Sequence, residues 1–120
     1  MEILVLQYPP CSTCKKALKW LNDNQIKYQS RNIKTENPTK EELETWYHKS
    51  DYPLKRFFNT SGQLYREQNL KEKIGTASED ELLSILATDG MLVKRPLVIG
   101  DDFVLVGFKE SEWQNALINN

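Results

Sequence analysis

The sequence has little of what several broad protein classes require. It contains two cysteines and one histidine, His48, whereas a zinc site needs about four protein ligands. No apolar stretch approaches the roughly 18 residues of a membrane-spanning helix. The first residues do not show the basic and then apolar segments of a secretory signal. We therefore expect a cytoplasmic protein without a bound metal and without a membrane association.

An excess of charge of one sign is also absent. Sixteen basic residues stand against 17 acidic residues, which leaves a formal net charge of −1. A nearly neutral chain is not broadly attracted to the phosphates of a nucleic acid, so we expect no direct binding to nucleic acid. A length of 120 residues predicts one domain that covers residues 1–120.

The two cysteines, Cys11 and Cys14, form one C-x-x-C motif within the segment QYPPCSTCKKA. The apolar run at 3–6 predicts a buried strand before the motif. After the motif, apolar residues recur at the spacing of an amphipathic helix. The motif therefore falls at a strand–helix junction, which is the placement of C-x-x-C in thioredoxin-like redox proteins.

This placement predicts different roles for the two thiols. Unpaired N–H groups and the helix dipole at a helix N-terminus favour a negative charge, so we expect the thiolate of Cys11 to be stabilised. Cys11 is the candidate nucleophile, because only a thiolate attacks a disulfide. Cys14 is the candidate resolving thiol, one turn further into the helix. Two buried structural cysteines are the alternative, although Ser12 and Thr13 between them favour a turn.

The remaining pattern predicts an α/β fold with a four-stranded mixed sheet. The predicted elements are strands at 2–7 and 26–33 around a helix at 13–24, a helical insertion at about 39–89, and strands at 97–99 and 103–106 before a closing helix. The first strands and their helix make a βαβ unit, in which the strands are parallel. The last strands are separated by a short turn, which predicts a hairpin.

Two features of the insertion predict its start and its packing. Thr39 with Glu42, and Ser78 with Glu81, have the spacing of capping boxes at helix starts. Aromatic residues at helical spacing belong to a core more often than to a ligand platform, so we expect these to be core residues. They are Trp46, Tyr47, Phe57 and Phe58. His48 is expected on the surface.

Three segments of the chain resemble the arsenate reductase (ArsC)/Spx family. They are YPPCSTCKKALKWL, PLKRFFNTSGQLYRE and GMLVKRPLVIGDDFVLVGFKESEW, and the second is most similar to the arsenate reductase-like branch. The resemblance implies a thioredoxin-like fold with a helical insertion between a βαβ half and a ββα half. It also implies that Cys11 is the nucleophile, that the bond before Pro96 is cis, and that Arg95 faces the cysteine loop.

The same resemblance implies where a substrate would bind. A cis bond at Pro96 would bring backbone groups of Leu97 beside the nucleophile, ready to pair with a substrate backbone. We therefore expect Ser12, Thr13, Pro96 and Leu97 to contact the substrate. Arg95 has a planar guanidinium that can hold an oxyanion or a carboxylate through two hydrogen bonds. A surface salt bridge is the alternative for Arg95.

The reading that we favour is a thiol–disulfide oxidoreductase with no tightly bound cofactor. Its expected partners are protein or small-molecule thiols and disulfides, with glutaredoxin or thioredoxin as reductants and glutathione or another low-molecular-weight thiol as co-substrate. An alternative of another class is an Spx-type redox-sensing transcription regulator that binds the α subunit of RNA polymerase.

A further alternative is a glutaredoxin-dependent arsenate reductase. Such enzymes resemble this chain but present arginines at positions that fall at Asn59, Arg95 and near Gly107. Only Arg95 is an arginine here, so little fixed positive charge remains for an arsenate oxyanion. We therefore predict weak or absent arsenate reduction.

Overall fold

The computed structural model describes residues 2–119 of the chain. Its strands are β1 (Leu4–Gln7), β2 (Gln29–Asn32), β3 (Leu97–Ile99) and β4 (Val104–Val106). Its helices are α1 (Ser12–Asp23), α2 (Lys40–Lys49), α3 (Gln63–Glu67), α4 (Leu70–Thr76), α5 (Glu79–Leu86) and α6 (Glu110–Leu117), with short 3-10 turns at Leu54–Phe57 and Gly90–Leu92.

The strands form one mixed sheet in the order β2-β1-β3-β4. β1 is parallel to β2, and Leu4 lies opposite Gln29. β3 is antiparallel to both β1 and β4, with Val98 opposite Val5 on one side. The predicted four-stranded α/β fold, with a βαβ half and a ββα half, is therefore confirmed.

Both faces of the sheet are covered at β1, β3 and β4. Neighbouring residues of a strand point to opposite faces, and residues of both sets are buried in these strands. One face packs against α1 and α6 through the buried residues Ile3, Val5, Ala17, Leu21, Val98, Leu105 and Trp113. The other face, which includes Leu6 and Leu97, packs against the helical segment between β2 and β3. β1 is thus held from both sides, and the loop that follows it starts from a rigid strand.

The helical segment follows the predicted pattern. Trp46, Phe57 and Phe58 are buried, Tyr47 packs against them, and His48 is exposed, as expected. The capping box at the start of α2 is complete, with hydrogen bonds of 3.1 and 3.0 Å in the two directions. At the start of α5, the Ser78 hydroxyl accepts from the Glu81 N–H over 3.1 Å, but within residues 2–119 the Glu81 carboxylate does not bind the Ser78 N–H in return, so only half of the predicted capping box forms.

Gly90 lets the insertion return closely to the sheet. A Cβ at this position would lie 1.8 Å from the carbonyl oxygen of Ile33, just after β2. Only glycine therefore fits where the 3-10 turn at Gly90–Leu92 touches the end of β2. This close contact precedes the loop that leads into β3.

Some predicted strand boundaries were too wide. After α1, Gln25 takes a positive φ of 59°, and the Ile26 N–H donates to Leu21 over 2.9 Å. This helix-ending turn occupies the chain, so β2 starts only at Gln29 instead of 26. Likewise Phe103 belongs to the hairpin turn, because its carbonyl accepts from the Gly100 N–H over 2.9 Å. Within residues 2–119, the helices are too short or too polar to cross a membrane.

Candidate active site

A tight turn carries the chain from β1 into α1. The N–H of Cys11 donates to the carbonyl oxygen of Tyr8 over 2.9 Å, with Pro9 and Pro10 between them. Cys11 is extended, with φ −73° and ψ 121°, and it is the N-cap of α1. The nucleophile candidate therefore lies immediately before the first helical residue, where the sequence predicted it.

The sulfur of Cys11 caps α1, as a side-chain oxygen does at the start of many helices. It accepts the backbone N–H of Cys14 at 3.3 Å, one of the donors that a helix N-terminus leaves unpaired. Cys11 is half-buried, whereas Cys14 is fully buried. One thiol can therefore meet a substrate, while the other is covered.

The surroundings also separate the two thiols in acidity. Burial raises the pKa of Cys11, but the hydrogen bonds from Cys14 and the charge of Arg95 outweigh it. Helped by the backbone N–H of Thr13, they bring the pKa of Cys11 below its ordinary value. Burial raises the pKa of Cys14 to about 12. The order is the one expected from the helix position.

Arg95 lies in the loop before β3, and its bond to Pro96 is cis, as the resemblance implied. Its Nη1 donates to the carbonyl oxygens of Met91 and Val93, both at 3.4 Å. Its buried Nε has no hydrogen-bond partner in the described part of the chain. No carboxylate of residues 2–119 lies within 4.0 Å of the guanidinium, so a salt bridge does not account for Arg95.

Tyr8 is a residue of this site that the sequence did not indicate. The guanidinium carbon of Arg95 lies 5.4 Å from the centre of the Tyr8 ring. The same residue accepts the Cys11 N–H through its carbonyl. Its position directly before the two prolines could have drawn attention to it, but the spacing does not indicate which cation the ring contacts.

Asn59 reaches the site through a pairing between distant segments. Phe58 and Val93 form an isolated antiparallel bridge, and the Asn59 N–H donates to Leu92 over 2.8 Å. Asn59 and Arg95 consequently border one groove of about 220 Å³. Its other lining residues are Gly62, Gln63, Leu64 and Met91. The sequence pointed to Asn59 only as a missing arginine.

Gly107 supports the loop of the cis bond with its backbone. Its N–H donates to the carbonyl oxygen of Pro96 over 2.9 Å, and its φ is +75°. A side chain is rarely accommodated at such a φ, and a Cβ would lie 3.2 Å from Cε of Lys94. An arginine at this position would therefore be strained.

The other expected substrate contacts differ in their exposure. Ser12 and Thr13 are exposed in the first turn of α1. Pro96 and Leu97 are buried, and Leu97 pairs with both neighbouring strands. A contact with these two would use their backbone, and all four contacts stay predictions. No three His, Cys, Asp or Glu side chains between residues 2 and 119 form a cluster that could hold a metal ion.

Comparisons with known proteins find relatives over nearly the whole chain. The model of the ArsC family matches residues 6–116. The uncharacterized protein YusI of Bacillus subtilis is 50% identical over 114 residues, which cover 95% of this chain and 97% of YusI. The global transcriptional regulator Spx of Staphylococcus epidermidis is 29% identical over 109 residues, covering 91% of this chain and 82% of Spx.

A solved structure is similar over nearly the whole fold. The crystal structure of a protein related to the ArsC family from Bacteroides fragilis superposes with a TM-score of 0.93 and 55% identity. The match covers 96% of this chain and 97% of that chain. The sheet and its helical insertion therefore form an architecture already seen in a protein with 55% sequence identity.

Proposed function

Because this chain belongs to the ArsC family, we propose that it is a cytoplasmic thiol–disulfide oxidoreductase. Cys11 is the nucleophile and Cys14 is the resolving thiol. The observation that carries this proposal is the asymmetry of the pair, in which the accessible sulfur accepts an N–H at 3.3 Å and the second thiol is fully buried. A pair that only filled the core would leave neither thiol accessible.

The first step is an exchange at the substrate disulfide. The Cys11 thiolate attacks one sulfur, the substrate S–S bond breaks, and the released thiolate takes a proton from water. A mixed disulfide now joins Cys11 to the other half of the substrate. The lowered pKa of Cys11 raises the thiolate fraction that is available near neutral pH.

The second step uses Cys14, whose reactivity depends on the first step. Burial raises the pKa of Cys14 most, and the thiol and charge of Cys11 raise it further. Once Cys11 is a neutral mixed disulfide, these contributions from Cys11 are gone and the pKa of Cys14 falls. The Cys14 thiolate then attacks the Cys11 sulfur and expels the second half of the substrate as a thiolate, which leaves a Cys11–Cys14 disulfide.

The pair has then given two electrons to the substrate and must be reduced again. Two equivalents of a low-molecular-weight thiol such as glutathione, or a dithiol protein such as glutaredoxin or thioredoxin, can supply them by the same exchange. Both reductants act through sulfur, so the cycle uses no tightly bound cofactor.

The groove beside Arg95 is suited to the part of the substrate that does not react. The guanidinium has no carboxylate partner among residues 2–119, so it can bind an anionic group of a substrate. Asn59 and Gln63 line the same groove and offer amide groups. Ser12 and Thr13 follow the nucleophile in the first turn of α1 and are exposed.

Trapping with a Cys14→Ser variant tests this function. Without the resolving thiol, a substrate that reacts with Cys11 should stay attached as a mixed disulfide that a reductant releases. The matched control is Cys11→Ser, which keeps the buried thiol and should trap nothing. Equal trapping by both variants, or none by Cys14→Ser in a thiol-oxidised extract, would contradict the proposal.

A second candidate function is supported by the Spx relative, which matches 91% of this chain and is named a global transcriptional regulator. In this alternative, the cysteine pair is a switch on a protein that binds the α subunit of RNA polymerase. A pull-down with purified α subunit, with the pair reduced and then oxidised, separates the two. The oxidoreductase proposal predicts no stable complex in either state.

A further inference from the structure

Tyr8 joins two parts of the site that come from distant segments of the chain. Its carbonyl oxygen holds the N–H of Cys11 at 2.9 Å, and its half-buried ring packs against the core below the insertion. The guanidinium of Arg95 lies over the ring at 5.4 Å from its centre. The ammonium of exposed Lys34 lies 5.8 Å from the same centre.

The other contacts of Arg95 hold it only loosely. Its two hydrogen bonds to main-chain carbonyls are 3.4 Å long, beyond the usual range of such bonds. Its Nε is buried without a partner in the described chain. A ring face within about 6 Å of a cation attracts it, more strongly where water is excluded. The Tyr8 ring is therefore a principal contact that orients the guanidinium.

We propose that Tyr8 is a positioning residue, whose ring holds Arg95 beside Cys11 without neutralising it. A carboxylate would hold the guanidinium more firmly, but its negative charge would cancel the field that favours a thiolate. An aromatic face attracts a cation through its quadrupole and carries no net charge. Arg95 thus keeps its full charge for the Cys11 thiolate and for an anionic substrate.

The inference deepens the proposed function, but its test does not depend on turnover. The test is the rate of iodoacetamide alkylation of Cys11 as a function of pH in the reduced full chain, with the modified site mapped. The groups that act on the Cys11 thiol are Cys14 and the Thr13 N–H in α1, and Arg95 in the opposing loop. Of these groups, the Tyr8 side chain contacts Arg95, and its replacement leaves the backbone groups of Tyr8 in place, so the expected effect runs through the placement of Arg95.

Tyr8→Leu should move the Cys11 profile to higher pH and slow alkylation near pH 7 by roughly two- to five-fold, the worth of one cation–π contact. Tyr8→Phe keeps the ring and should keep the wild-type profile. If circular dichroism shows that the leucine variant is unfolded, the alkylation profile is measured on Tyr8→Met instead, which fills the space with another apolar side chain. A wild-type profile in the apolar variant, or an equal shift in Tyr8→Phe, would overturn the inference.

Two controls isolate the route through Arg95. Lys34→Gln removes the other cation near the ring and should leave the Cys11 profile unchanged. In an Arg95→Gln background, Tyr8→Leu should cause no additional shift, and an equally large shift there would contradict the inference. If the Tyr8 variants show the predicted shifts but the wild-type protein reduces no disulfide, the result would contradict the proposed function and leave this inference intact.

Discussion

The backbone N–H of Cys14 donates to the sulfur of Cys11 over 3.3 Å, while the Cys14 thiol itself is fully buried. One residue therefore stabilises the nucleophile through its backbone and supplies the second thiol through its side chain. The two sulfurs are held in one helical turn, yet they differ in exposure and in acidity.

Alkylation of the reduced protein should modify Cys11 near neutral pH and leave Cys14 almost unmodified. The pKa of Cys11 is lowered, whereas burial raises the pKa of Cys14 to about 12, so only Cys11 offers thiolate in this range. Mass spectrometry of the labelled protein across a pH series measures both sites. Preferential labelling of Cys14 near neutral pH would contradict the assignment of Cys11 as the nucleophile and Cys14 as the resolving thiol.

Arg95→Lys should lower turnover of an anionic disulfide several-fold without unfolding the protein, because an ammonium lacks the planar two-bond contact. Arg95→Gln should also raise the pKa of Cys11, since the positive charge that favours the thiolate is lost. Arg56 is a suitable control, because its guanidinium also lies over a ring, that of Tyr52 at 4.5 Å. Arg56→Lys should leave turnover unchanged, and an effect as large as that of Arg95→Lys would remove the special role of Arg95.

Arsenate reduction should be weak or absent, while reduction of hydroxyethyl disulfide with glutathione should be measurable. A developing oxyanion needs fixed donors and charge, but the groove pairs Arg95 with the neutral Asn59, and Gly107 contributes only backbone. Both activities are followed through NADPH with glutathione reductase and glutaredoxin supplied. Robust arsenate turnover would show that one arginine is enough.

Glu42→Gln should lower stability at pH 7 by on the order of 1 kcal/mol, a modest value because water screens the partly exposed pair. Two N–H groups of Arg31 bind the Glu42 carboxylate at 2.8 and 2.9 Å, and these bonds lower its pKa from 4.5 to about 2. A lowered carboxyl pKa stabilises the fold above the unfolded value and less as pH falls towards the folded value. The difference between variant and wild type should therefore shrink between about pH 4.5 and pH 2.

Urea unfolding across this pH range measures that difference. The control is Asp80→Asn, which removes the more exposed ion pair with Lys40 and should change stability little. A constant loss in Glu42→Gln down to pH 2 would mean that the carboxylate does not act through its charge.

Most elements of the fold could be predicted from the sequence, because their causes are local. These causes are the apolar run 3–6, the two apolar runs of the hairpin around a short turn, and the pair Thr39–Glu42, each of which spans only a few residues. The start of β2 could not be predicted, since it depends on the turn at Gln25 after α1. A residue with positive φ that is not glycine leaves no reliable mark in the sequence.

The sequence by itself determined where the chemistry lies. A C-x-x-C motif at a strand–helix junction makes Cys11 the helix cap and puts Cys14 in the first turn, because a helix start is a local structure. Only the tertiary structure decided what surrounds the pair. Tyr8 meets Arg95, and Asn59 reaches the groove, because strand pairing and burial join segments far apart in the chain. Such contacts depend on the packing of the whole sheet and its insertion, and no spacing within one segment encodes them.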